Sequence, residues 1–118
     1  MARVTVTVDG ILIREHVLSK ERTTIGRKAH NDIQIEDNFL SGEHAAILRE
    51  GEDWIIEDLR SRNGMLLNGR RTGRQRLKPD DRIDLGDYRL VFRTDSEDKA
   101  GQFLVSRLLK TRPMKFMS

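Results

Sequence analysis

Apolar residues recur at alternate positions from the start of the chain. Val4, Val6 and Val8 alternate with polar residues up to Asp9-Gly10, and Ile11, Ile13 and Val17 follow among polar partners. A period of two sends successive side chains to opposite faces of a strand, and Asp-Gly between two such runs is a strong hairpin signal. The pattern predicts a β-hairpin over residues 3–18. Short β-type runs continue at Thr23 to Ile25, Ile33 to Ile35, Ala45 to Leu48, Trp54 to Ile56, Met65 to Leu67, Arg82 to Leu85 and Arg89 to Phe92. Turn residues separate them: Asn31-Asp32, Gly51-Glu52-Asp53, Asn63-Gly64, Asn68-Gly69, Pro79-Asp80-Asp81 and Gly86-Asp87. Many strands at this spacing, with no helical period before residue 94, describe an antiparallel sandwich or barrel. We expect an all-β, two-sheet sandwich.

The pattern changes after residue 94. Thr94-Asp95-Ser96-Glu97 fits a capping box, and Phe103, Leu104, Val105, Leu108 and Leu109 share one helical side until Pro113. The expected organisation is a β domain over residues 1–94 and an amphipathic helix with a basic tail over 95–118. That helix can pack on the sandwich, or pair two copies through Phe103, Leu104 and Leu108. Its Arg107, Lys110, Arg112 and Lys115 can also meet an acidic partner or a membrane surface.

Composition narrows the function classes. At 118 residues the chain is one domain. It has no cysteine, hence no disulfide, thiolate nucleophile or thiolate-bound zinc, which favours a cytoplasmic protein. No apolar stretch has signal-peptide or membrane-spanning length, so neither secretion nor membrane insertion is expected. The first 98 residues hold 17 of the 22 Lys and Arg and all 19 Asp and Glu, a net of −2, whereas the last 20 carry +5. The overall charge of +3 thus comes from the tail, and a slightly acidic body gives little reason to expect nucleic-acid binding.

The chemistry sits in loops, where rigid scaffolds place recognition groups. Gly26 lets the chain turn sharply after Thr23-Thr24-Ile25 while Arg27 offers a planar guanidinium able to grip two phosphate oxygens. Ser41 can donate to an anion, and His44, three residues on, can brace the loop from behind. Asp58 to Gly64 is the most specific fragment. Asp58 can bond the amides of its own turn, Ser61 and Asn63 favour tight turns, and Gly64 permits positive φ. Arg62 would then stand near an anion, and Asn63 would offer a donor and an acceptor to a peptide backbone. The same letters also suit an ordinary hairpin turn.

Three other readings fail on the residues present. Ser41, His44 and Asp58 make a hydrolase triad on paper, but no G-x-S-x-G elbow surrounds the serine. Gly64 to Arg71 is a near miss to a phosphate-binding loop that lacks the Lys and Ser/Thr. His16, His30 and His44 have no metal-ligand spacing, so neither a metal nor another cofactor is expected.

Gly26-Arg27, Ser41-x-x-His44, Asp58-x-x-Ser61-x-Asn63-Gly64 and Asn68-Gly69, in this order in an all-β chain, resemble the forkhead-associated domain, a phosphothreonine-reading module. The resemblance covers residues 1 to 94. It implies two twisted antiparallel sheets of about eleven strands, whose loops at one end grip a phosphothreonine in an extended peptide. It further implies that Arg27 and Ser41 contact phosphate, that Arg62 assists, and that Asn63 holds the peptide main chain. Gly26, His44 and Gly64 would keep the loops in shape, while Asn68 and Gly69 make a neighbouring turn. The chain departs from the family at Gly42, which offers no side chain where many relatives have a polar or basic one, and at Met65, where threonine is common. The expected protein is a non-enzymatic module for partners phosphorylated by a Ser/Thr kinase. The alternative is a phospho-independent adaptor or oligomerisation module acting through the C-terminal helix.

Overall fold

The computed structural model describes residues 1–94, in which the alternating runs become eleven strands. In chain order these are β1 (Ala2–Val8), β2 (Ile11–Val17), β3 (Arg22–Gly26), β4 (Ile33–Gln34), β5 (Ala45–Glu50), β6 (Asp53–Asp58), β7 (Leu66–Leu67), β8 (Arg70–Arg71), β9 (Arg74–Arg76), β10 (Arg82–Leu85) and β11 (Tyr88–Thr94). One sheet has the order β2-β1-β11-β10-β7-β8 and the other β4-β3-β5-β6-β9. The expected C-terminal helix and the contact through Phe103, Leu104 and Leu108 lie outside the described residues.

Two turns show why the letters between the runs matter. Asp9 and Gly10 have φ of 53° and 79°, and Asn68 and Gly69 have 51° and 85°. Consecutive left-handed residues are what a two-residue type I′ hairpin requires. One pairing escapes the period-two pattern: β4 runs parallel beside β3, with Ile25 opposite Ile33 and Gly26 opposite Gln34. A two-residue strand is too short to declare its direction by alternation.

The facing surfaces of the sheets close on one apolar core. The six-stranded sheet contributes Val4, Val6, Ile83, Leu85, Leu90 and Phe92, and the other contributes Ile25, Ile33, Ile47 and Ile56. Each such side chain adds about 1.5 to 3 kcal/mol relative to exposure. The alternation in β2 does not produce a buried face. Ile11, Leu12 and Ile13 remain 65, 60 and 51% exposed, because β2 is an edge strand and its register with β1 shifts between Val6 and Thr7.

Asp32 fixes the loop that leads from β3 into β4. Its carboxylate accepts from Thr24 N–H at 2.9 Å, from the Thr24 hydroxyl at 3.2 Å and from Lys20 Nζ at 2.6 Å. The lysine bond, then the Thr24 amide, lower its pKa from the ordinary carboxylate value. An unfolded chain therefore takes up this proton at higher pH than the folded one. The stabilisation is fully present above about pH 4, the ordinary aspartate range, and is lost as pH falls through the native value below it. Asp32→Asn is expected to melt below the wild type at pH 7, with the gap closing as pH drops towards 2; a gap unchanged over that range in thermal melts would refute the assignment.

Candidate functional site

β3 ends at Gly26 because no side chain fits there. A Cβ on Gly26 would lie 2.3 Å from the Gly42 carbonyl oxygen and 2.8 Å from Asn31 Nδ2. That close approach brings the segment after β3 against the segment before β5. Arg27 N–H donates to Ser41 C=O at 3.0 Å, and Lys28 N–H donates to Gly42 C=O at 3.2 Å. The Arg27 side chain is anchored by its Nε, which donates to Leu40 C=O at 3.1 Å. No described residue bonds its two terminal nitrogens, so the guanidinium is aimed at its stem and open at its end.

Ser41 and His44 are joined through the backbone. Ser41 N–H donates to His44 Nδ1 at 3.0 Å, so that nitrogen is the acceptor. The imidazole proton therefore sits on Nε2, which donates to Gly64 C=O at 2.7 Å. His44 is wholly buried, and it ties the Ser41 loop to the Asn63-Gly64 turn. The Ser41 hydroxyl oxygen accepts from Arg62 N–H at 3.0 Å, which leaves its own proton free to donate.

The loop after β6 is built around Asp58. Its carboxylate accepts from Ser61 N–H at 3.1 Å and from the Ser61 hydroxyl, and the Ser61 Oγ in turn accepts from Gly64 N–H at 2.9 Å. Arg60 and Gly64 close the turn with φ of 57° and 76°. Asn63 Nδ2 donates to Phe39 C=O at 2.7 Å, leaving Oδ1 and the second amide hydrogen without partners among the described residues.

Residues 39–41 are thus a hub: Phe39 holds Asn63, Leu40 holds Arg27, and Ser41 holds Arg62. Arg27, Ser41 and the pair Arg62-Asn63, from three separate segments of the chain, come together there. Gly26, His44, Asp58 and Gly64 form the frame behind them. Asn68 and Gly69 belong to a different network. Asn68 Nδ2 donates to Asp81 Oδ1 and its Oδ1 accepts from Arg82 N–H, both at 2.9 Å, which pins the β7–β8 turn to the start of β10.

The arrangement does not assemble a triad, since both His44 nitrogens serve backbone groups and Asp58 serves Ser61. His30 instead meets Glu43 at 2.7 Å on the surface. Among the described residues no group of three acidic or imidazole side chains is placed to hold a metal, and no helix is long and apolar enough to cross a membrane.

Sequence reasoning missed three contributors. Buried Asn31 carries only a turn signal in the sequence, yet its Nδ2 bridges Lys28 C=O at 2.8 Å and Gly42 C=O at 2.7 Å, locking the two loops together. An Asn before Asp32 carried no signal beyond turn propensity. Lys28 lies across Gly42, with its stem 3.0 to 3.3 Å from where a Cβ would sit, so the side chain missing at Gly42 is replaced by a neighbour. Met65 is a core residue. It also lines, with Phe39, Leu66 and Gly86, a cavity of about 260 Å³ beside Asn63.

The FHA domain family matches residues 23–86 of this chain. Among curated proteins, the oxoglutarate dehydrogenase inhibitor of Corynebacterium jeikeium is 33% identical over 82 residues, covering 70% of this chain and 57% of that protein. The chain spans little more than half the length of this and other curated relatives it matches. Among solved structures, EmbR of Mycobacterium tuberculosis in complex with a low-affinity phosphopeptide aligns with a TM-score of 0.71 at 31% identity, covering 78% of this chain and 24% of that one. A chain from an analysis of phosphothreonine-dependent FHA domain interactions aligns with a TM-score of 0.70 at 27% identity, covering 78% of this chain and 96% of that one.

Proposed function

The chain belongs to the FHA domain family, and from that premise we propose that it is a non-catalytic, cytoplasmic module that docks a partner carrying a phosphothreonine made by a Ser/Thr kinase. The observation that carries the reading is the open end of Arg27. Its Nε is fixed on Leu40 C=O while its terminal nitrogens have no partner among the described residues, and Ser41, next along the segment that anchors it, has a hydroxyl that still has a proton to give. A phosphate dianion fits that set: the guanidinium fork takes two oxygens and Ser41 Oγ–H a third. Arg62 adds charge from the adjoining turn. Lys28 supplies a third cation, its stem lying against Gly42. The free carbonyl and amide hydrogen of Asn63 match the main chain of an extended peptide, and the apolar cavity beside it suits a side chain of that peptide.

Three charge-assisted hydrogen bonds at roughly 1.5 to 3 kcal/mol each, together with main-chain bonds at Asn63 and apolar contact beside it and set against the cost of ordering the peptide, lead us to expect a micromolar affinity, near −8 kcal/mol. The threonine methyl adds about 0.8 kcal/mol, close to fourfold over serine. Titration by fluorescence anisotropy should show micromolar binding of a phosphothreonine peptide from an oriented library, weaker binding of its phosphoserine analogue, and none of the unphosphorylated peptide. Equal binding of the phosphorylated and unphosphorylated forms would overturn the proposal.

A further inference from the structure

The twenty residues 60–79 contain seven Arg and Lys and no Asp or Glu. Neighbouring strands neutralise two of the seven, pairing Glu50 with Arg74 and Asp53 with Arg76. Arg60, Arg62, Arg70, Arg71 and Lys78 make no ion pair within the described residues. Three of them, Arg70, Arg71 and Lys78, line one trough of about 440 Å³ that runs past β8 and β9, with Thr72, Gln75 and Arg76 completing its walls. The sole carboxylate on that trough, Asp81, is already engaged: one oxygen accepts from Asn68 Nδ2 and the other from Lys78 N–H.

The trough adjoins the candidate phosphothreonine site. The Arg71 guanidinium lies against Gly64, its atoms 2.7 to 3.3 Å from the place of a Cβ. Thr72 N–H donates to Met65 C=O at 3.2 Å and Asp58 N–H to Gly73 C=O at 2.8 Å. Residues 71–73 are thereby laced to the flank of the loop that presents Arg62 and Asn63. Clustered cations without counter-charges repel one another, and an anion laid among them relieves that repulsion. Arginine forks match carboxylates in particular.

We propose that this trough is a second anion site that takes carboxylate side chains of the same partner, so that the favoured partner carries an acidic stretch beside its phosphothreonine. The inference rests on the phosphothreonine reading for how the peptide is brought in, but it has its own residues and its own readout. The lining has no aromatic side chain on which unpaired bases stack, which favours a polypeptide over single-stranded nucleic acid.

The test uses the full chain and phosphothreonine peptides identical for two residues on either side of the phosphothreonine. Beyond these, four Glu and Asp stand on the N-terminal side, on the C-terminal side, or are replaced by Gln and Asn. One of the acidic peptides should bind about tenfold more tightly than the neutral one at low salt, an advantage that shrinks as salt rises. The variant R70Q/R71Q/K78Q, or R70Q/K78Q if the triple fails to fold, should lose that advantage and bind the neutral peptide as the wild type does. No gain on either side, or a gain kept by the variant, overturns the proposal. So does a duplex DNA that competes more strongly than the acidic peptide. If no phosphorylation dependence is found at all, binding of the unphosphorylated acidic peptide that is lost in the variant and kept in Arg27→Ala supports the trough alone; its persistence in the variant refutes it.

Discussion

Replacing Arg27 by alanine is expected to remove measurable binding to a phosphothreonine peptide while lowering the melting temperature by about 10 °C at most, with the domain still folded. The side chain has two separable jobs. Its Nε bond to Leu40 C=O belongs to the fold, and one hydrogen bond from a charged donor at a half-buried position contributes about 1.5 kcal/mol, the low end of the range for charged groups. In a domain of this size 1 kcal/mol moves the melting temperature by about 4 to 8 °C. Its terminal nitrogens have no partner among the described residues and, in the proposed reading, take the phosphate. Losing two charge-assisted bonds at roughly 1.5 to 3 kcal/mol each, from a total near −8 kcal/mol, takes a micromolar complex into the millimolar range or beyond. Arg27→Lys separates charge from shape: it keeps the cation and loses the planar fork, so binding should weaken by about tenfold or more without disappearing. Wild-type affinity in the lysine variant, measured by titration calorimetry, would show that no bidentate contact exists. Undiminished binding in the alanine variant would remove Arg27 from the site altogether.

What the sequence revealed and what it hid divide along a physical line. Two-residue turns declare themselves, because few residue types tolerate consecutive positive φ, and Asp9-Gly10 and Asn68-Gly69 are where the pattern predicts them. Strands with one buried face also declare themselves through alternation, as β1, β3, β10 and β11 do. β8 and β9 went unread because Arg70–Arg71 and Arg74–Arg76 are exposed throughout and held by backbone pairing, which leaves no trace in side-chain pattern. β2 shows the converse: Ile11 and Ile13 alternate as a buried face would, yet stay in solvent at a sheet edge.

The loops follow the same rule. Asp58, Ser61 and Gly64 are legible because each bonds within its own turn, so spacing along the chain stands in for spacing in space. Ser41 and Arg62, or Asn63 and Phe39, are 21 and 24 residues apart, and only the folded sheets reveal that they touch. Asn31 is the clearest omission, since its importance lies in two carbonyl groups, Lys28 C=O and Gly42 C=O, and backbone groups have no letter in a sequence.

Gly26→Ala is expected to be the most damaging single methyl group in the molecule. The glycine does not occupy a left-handed conformation, so the argument is one of space alone. The added carbon would stand 2.3 Å from the Gly42 carbonyl oxygen, a backbone atom already fixed by Lys28 N–H and Asn31 Nδ2. It cannot rotate away as a side-chain terminus would. Relief requires the Ser41-Gly42 segment to move off β3, which breaks the Arg27 N–H bond to Ser41 and the Asn31 bridge together. Overpacking of this kind costs about 1 to 3 kcal/mol, with larger values where the neighbour is backbone. The expected result is a melting temperature lower by about 10 to 20 °C and a loss of phosphopeptide affinity even where the variant is still folded, because the segment that carries Ser41 and anchors Arg27 is displaced. Gly73→Ala is the control: its added carbon meets no atom within 4 Å, and stability should change little. Equal melting curves and equal affinities for the two variants would mean that Gly26 does not hold the site together, and that the contact between the two loops is not what aims the guanidinium.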